Sequence, residues 1–133
     1  MLRLATVALG VALAFACGCG SIRDDSVPDE YAGRVNPMHG NSQAKQAGRV
    51  LFARNCMYCH GQFGFGDGPE AELLDPAPPS FRDRIGQYDD DYLLWRISEG
   101  GNGDPMWSDM PGWKHLLVEE DIWKIVTFLR DLD

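Results

Sequence analysis

Basic side chains are scarce in this sequence. Twelve lysines and arginines stand against 20 aspartates and glutamates, a net charge of −8. A nucleic-acid partner needs a basic surface facing its phosphates, so the balance speaks against that class. Histidine is scarcer still, with 3 residues. Besides His60 only His39 and His115 remain, too few at ligand spacing for a zinc site. No apolar run is long enough to make a good membrane span: the longest, residues 4–16, falls short of one. There is no internal repeat, no sign of a second domain and no convincing strand pattern. What the chain does have is 44% hydrophobic and 11% aromatic residues. That suits one folded core, though a modest one, which a large buried cofactor would help substantially.

The short apolar run has a purpose at its position. Arg3 precedes it, and small residues and cysteines follow it, the form of a secretory signal over residues 1–19. The chain is therefore expected to be exported, to the periplasmic side of a bacterial membrane. Cys17 and Cys19 sit where a lipoprotein signal is cut, each after a small residue. Phe15 makes Cys17 the poorer candidate, so Cys19 is the expected lipidation site. Acyl chains there would tether the protein to a membrane. Residues 20–41 are polar and broken by Gly and Pro, a tether or an arm lying on the domain. The compact domain is expected over residues 42–133.

Three helices are predicted in it. The first runs from 43 to about 56, with Ala44, Ala47, Gly48, Leu51 and Phe52 on one face and Asn41 or Ser42 as cap. Gly48 inside a helix points to a close crossing. The second covers about 90–99, capped by Asp89, with Leu93, Leu94 and Ile97 inward and Gly100 at its end. Its acidic start, residues 89–91, reads as solvated. The third covers 119 to about 131, with Ile122, Ile125, Val126 and Leu129 on one face. Its first-turn acids and Arg130 suit the helix dipole. Residues 61–86 form a long Gly-, Pro- and Asp-rich loop with a short helix near 69–74. So long a loop in a small domain implies something packed inside it. The fold class is all-α.

The chemistry lies in Cys56-Met57-Tyr58-Cys59-His60. Two thiols at i and i+3 on a helical turn point the same way, about as far apart as the two vinyl groups of a porphyrin. The next histidine reaches the iron from the same side. This is the attachment motif of one covalent haem c. A thioredoxin-like Cys pair would belong to an α/β pattern that is missing here. The second axial ligand is sought in the later loop among Met106, Met110 and His115. A thioether is soft and neutral, favours Fe(II) and raises the potential. Met110, followed by Pro111, is the first candidate and Met106 the second; His115 comes last. Phe52, Trp123 and Phe128 read as core. Tyr92, Trp95, Trp107 and Trp113 line either haem or fold, and one of them, or Arg82, Arg84 or Arg96, is a candidate partner for a haem propionate.

Taken together, GRVLFARNCMYCHG, GFGDGP, PAPPSF, LLWRISEGG, DMPGW and EEDIWKIVTFLR resemble class I mono-haem cytochromes c over about residues 42–133. The resemblance implies a crossing of first and last helices at Gly48 and Phe52 against Ile125 and Phe128. It also implies Met110 as distal ligand, and a proline carbonyl (Pro69, Pro78 or Pro79) on the proximal histidine. Val118 departs from the family's Ser or Thr cap. Asn36-Pro37, the GDGP stretch and the EEDIW ending are similar to the mono-haem lipoprotein subunits of quinol-oxidising alternative complex III. Similar cytochromes accompany terminal oxidases. The expected function is electron transfer between redox proteins, as a carrier rather than an enzyme. A haem-based gas or redox sensor with a labile distal ligand is the alternative.

Overall fold

The computed structural model of the protein describes residues 27–103 and 106–132. The expected signal at 1–19 with Cys17 and Cys19, the first part of the linker, and the side chain of Met106 lie outside what is described.

Helix α1, Ser42–Asn55, begins under Asn41, whose Oδ1 accepts from the Gln43 and Ala44 N–H groups, both at 3.0 Å. Ala44, Gly48 and Phe52 form its buried stripe, one residue per turn. Gly48 is where α1 crosses the last helix, α5, Glu119–Leu129. A Cβ at Gly48 would lie 1.9 Å from the Lys124 carbonyl oxygen, so the two backbones touch there and only glycine fits. One turn on, the Phe52 and Phe128 rings pack with centroids 5.3 Å apart. Ile122, Ile125, Val126 and Leu129 are buried as their spacing requires. Val118 at the N-cap makes no side-chain bond, and Glu119, Glu120 and Asp121 stand in its place at the positive end of the helix.

Arg130 directly follows α5 and still donates its N–H to the Val126 carbonyl at 3.0 Å. Its guanidinium donates to Asp90 Oδ1 at 3.0 and 2.6 Å, to the Ile85 carbonyl at 2.7 Å and to the Tyr88 carbonyl at 2.7 Å. This bolts α5 to the start of α4, Asp90–Glu99. Asp89 occupies the N-cap position of α4 without a capping bond from its side chain. Asp90 and Asp91 are not solvated, contrary to the expectation. Asp90 Oδ2 accepts from the Asn36 N–H at 2.9 Å, and Asp91 Oδ2 from the Gly33 N–H at 2.7 Å. Both donors belong to the polar segment before α1.

That segment, residues 27–41, is an arm packed across α4 and α5. The Tyr31 hydroxyl donates to Glu99, and Asn36, 3% exposed, donates through Nδ2 to Thr127 Oγ1 at 2.9 Å. It explains why all of 91–98 is buried although only Leu93, Leu94 and Ile97 were expected inward. A helix buried all round needs cover on both sides. Asn36→Ala is expected to lower stability by about 2 kcal/mol, since it leaves buried Thr127 without its donor. Urea unfolding measures this, and a loss under about 0.5 kcal/mol would mean that the arm adds nothing.

The one strand pairing among the described residues is minimal: β1, Asn102–Gly103, against β2, Met106–Trp107, antiparallel with Gly103 opposite Met106. The fold is all-α, as expected. The long loop holds two 3-10 turns, Ala71–Leu73 and Ile85–Gln87, and a short helix α3, Phe81–Arg84, which the sequence pattern did not reveal.

Candidate cofactor site

Cys56 closes α1 and opens a second short helix, α2, Met57–His60. Its carbonyl accepts from the Cys59 N–H at 3.2 Å and the His60 N–H at 2.9 Å, so one turn carries both thiols and the imidazole. The loop that follows folds back over this turn. Glu70, Gly68 and Gly66 donate to the carbonyls of Tyr58, Cys59 and His60 at 3.0, 3.3 and 2.9 Å. These are the orphan acceptors at the end of a helix, and the loop supplies their donors. The expected helix near 69–74 is only the turn at Ala71–Leu73, because the chain is held to this return path.

Both cysteines are free thiols and half-buried. Burial, then the neighbouring Cys59, pushes the Cys56 thiol up to about 12. His60 is buried, and burial pulls its imidazole down to about 4. It is neutral near pH 7, the form that ligates a metal. Its ring stacks on Phe81 with centroids 4.6 Å apart, and Phe81 is pinned by donating its N–H to the Gly64 carbonyl at 2.7 Å. Phe81 was not singled out from the sequence. The only signal was a lone aromatic after the proline run. Nδ1 of His60 is buried with no hydrogen-bond partner, so none of Pro69, Pro78 and Pro79 holds it in this structure.

Met110 is half-buried and packs against the hydrophobic core. Its segment is stapled to the end of α4. The Gly101 N–H donates to the Met110 carbonyl at 2.9 Å, and Trp113 and Lys114 donate to Ile97 and Ser98 at 3.0 and 3.1 Å. Gly100, at φ 81°, makes this approach possible: a Cβ there would lie 2.4 Å from the Met110 carbonyl oxygen. Gly100 was expected only to end the helix. Met106 is placed by its backbone alone, in β2. His115 is exposed, on the stretch before α5.

Tyr92 and Trp95 are buried on α4, whereas Trp107 is 71% exposed. Arg82 and Arg84 are exposed, the former over the Phe65 ring at 5.0 Å, and Arg96 is buried. Among the described residues no three His, Cys, Asp or Glu side chains gather to hold a metal ion by themselves. Two free thiols and a neutral, unpartnered histidine on one turn instead fit haem c, which takes two thioether links and one imidazole. Among the described residues no helix is long and apolar enough to cross a membrane.

A family model described as cytochrome c oxidase, cbb3-type, subunit III matches residues 43–129. No curated protein matches the chain. Among solved structures, the chain is similar to the reducing HAO-like protein complex of Kuenenia stuttgartiensis. Identity is 22% and the TM-score 0.58, over 72% of this chain and 46% of that one. It is also similar to cytochrome cL of the methylotroph Methylophaga aminisulfidivorans. There identity is 22% and the TM-score 0.54, over 72% of this chain and 59% of that one. The c-type cytochrome KustC0563 aligns at 23% identity and a TM-score of 0.52, over 65% of this chain and 96% of that one. The chain thus spans about half the length of the first two. At these identities the likeness is one of fold.

Proposed function

The chain belongs to the cytochrome c oxidase, cbb3-type, subunit III family of c-type cytochrome domains, and from that premise we propose that it relays single electrons in a bacterial respiratory chain through His60- and Met110-ligated haem c. Covalent haem c and electron transfer through it follow from the family. Haem c supplies a one-electron Fe(II)/Fe(III) couple. In this reading Cys56 and Cys59 anchor it. His60, buried and neutral, would ligate the iron through its imidazole, and Met110 would supply a thioether as the second protein ligand. With both in place substrate would have no open coordination position, hence a carrier rather than an enzyme.

The observation that carries the proposal is the single turn that holds Cys56, Cys59 and a buried, unprotonated His60. Partners are redox proteins, and the acidic balance favours a basic docking surface. We further propose a membrane tether through Cys19, on the periplasmic side, and membership of a quinol-oxidising complex. A mild-detergent preparation distinguishes a fixed subunit, recovered in constant ratio, from a shuttle released by salt. Mass spectrometry of the mature N-terminus reads the acyl chains.

The first test is an optical spectrum of the full chain, oxidised and reduced, after expression in a host that attaches haem c. A low-spin spectrum with the weak methionine-to-iron band is expected. A high-spin spectrum with carbon monoxide binding to the reduced form would overturn the carrier reading in favour of a sensor. A chain that never takes up haem would overturn it altogether.

A further inference from the structure

Three parts of the chain meet at Glu99, the last residue of α4. Its carboxylate accepts from the Tyr31 hydroxyl, which comes from the arm. It also accepts from Lys114 Nζ, which reaches Oε1 at 2.8 Å and Oε2 at 2.6 Å. Its carbonyl oxygen is just as close to the loop: a Cβ on Gly112 would lie 2.7 Å from it. Gly112 and Lys114 belong to the segment that carries Met110, which runs from β2 to α5 without a helix of its own. The arm holds Tyr31 firmly. The residue is buried, its N–H donates to the Pro28 carbonyl at 2.8 Å, and its carbonyl accepts from the Arg34 N–H at 3.2 Å. On either side of Val35, Arg34 pairs with Glu119 on α5 and the Asn36 N–H is bound by Asp90 on α4.

The Lys114 and Glu99 side chains are 43% and 29% exposed, and such an ion pair by itself holds little in water. A buried hydroxyl changes this. It fixes the Glu99 carboxylate in one orientation, so less freedom is lost when Lys114 docks, and each bond strengthens the next. Resting on the reading of Met110 as iron ligand, we infer that Tyr31 and Glu99 are positioning residues for Met110. The arm, through Tyr31, Glu99 and Lys114, clamps the ligand-bearing segment to the end of α4 and slows the departure of the thioether from the iron. Leaving requires the segment to lift, and lifting breaks the Lys114 contact and the bond from the Gly101 N–H to the Met110 carbonyl. The arm precedes residues 43–129, so the clamp reaches in from outside the family's domain.

The test takes the full-length holo-protein as wild type, Tyr31→Phe and Glu99→Ala, with two measurements. One is the rate of carbon monoxide uptake by the reduced form, which waits on the departure of Met110. The other is hydrogen exchange of the Gly101 N–H, which the Met110 carbonyl covers, against that of the Cys56 N–H, bonded to Phe52 at the end of α1. Tyr31→Phe should speed carbon monoxide uptake and Gly101 exchange about tenfold, the scale of one hydrogen bond to a charged group, and leave Cys56 exchange unchanged. Glu99→Ala should speed both further. Tyr31→Phe keeps the ring and its packing, so it decides alone should Glu99→Ala fail to fold. Unchanged rates in Tyr31→Phe would overturn the inference, and so would a rise that Cys56 shares, which is general loosening. A wild type that takes up carbon monoxide as fast as Met110→Ala would instead be the failure of the Met110 reading.

Discussion

Met110→Ala is expected to turn the low-spin protein high-spin, erase the methionine-to-iron band and shift the reduction equilibrium toward Fe(III) by more than tenfold, beyond about 59 mV. The sign follows from ligand chemistry: a neutral thioether favours Fe(II), and the water or hydroxide that enters in its place does not. The effect should be local. Met110 is half-buried, and its segment is held by backbone bonds from Gly101, Trp113 and Lys114, none of which needs the methionine side chain. The variant should therefore keep its haem and bind carbon monoxide when reduced. Optical spectra and a redox titration read all of this together. A low-spin Met110→Ala protein with an unchanged potential would remove Met110 as ligand and leave Met106 or His115 to be tested in its place.

The second large effect belongs to Gly48. Even Gly48→Ala sets a methyl carbon 1.9 Å from the Lys124 carbonyl oxygen and 3.1 Å from the Ile125 nitrogen. Neither atom is at the end of a flexible side chain, so the helices themselves must separate. Separation loosens the Phe52–Phe128 contact one turn away. The ordinary gain of an alanine over a glycine inside a helix, about 1 kcal/mol, is overwhelmed. A net loss of about 3 kcal/mol is expected for Gly48→Ala, and Gly48→Val should fail to accumulate as holo-protein. Guanidinium unfolding of the holo-protein and the yield of haem-bearing chain measure these. A Gly48→Ala protein as stable as wild type would show that the crossing is not a backbone contact.

Much of this molecule could be read without coordinates, because the signals are local. Cys56, Cys59 and His60 follow from the pitch of one helical turn. The buried stripes of the first and last helices follow from a 3.6-residue period, and Gly48 announced its crossing by being a glycine inside that period. What stayed hidden depends on partners far apart in the chain. The acids at 90 and 91 read as solvated because nothing in their own segment marks them as acceptors for Gly33 and Asn36, more than fifty residues away. Arg130 looked like a dipole partner, and the tertiary fold made it a bolt to Asp90 and two carbonyls. Phe81 gained its place on His60 only when the long loop closed. Arg96 was one basic residue among several until the fold buried it. The sequence by itself determined the Cys56–His60 motif on one turn, the main helices and the all-α class, since turns and periodicity act between near neighbours. Only the tertiary structure decided which charges are buried, which carbonyls are capped and what the arm covers, since desolvation and hydrogen bonding depend on whatever the folded chain brings alongside.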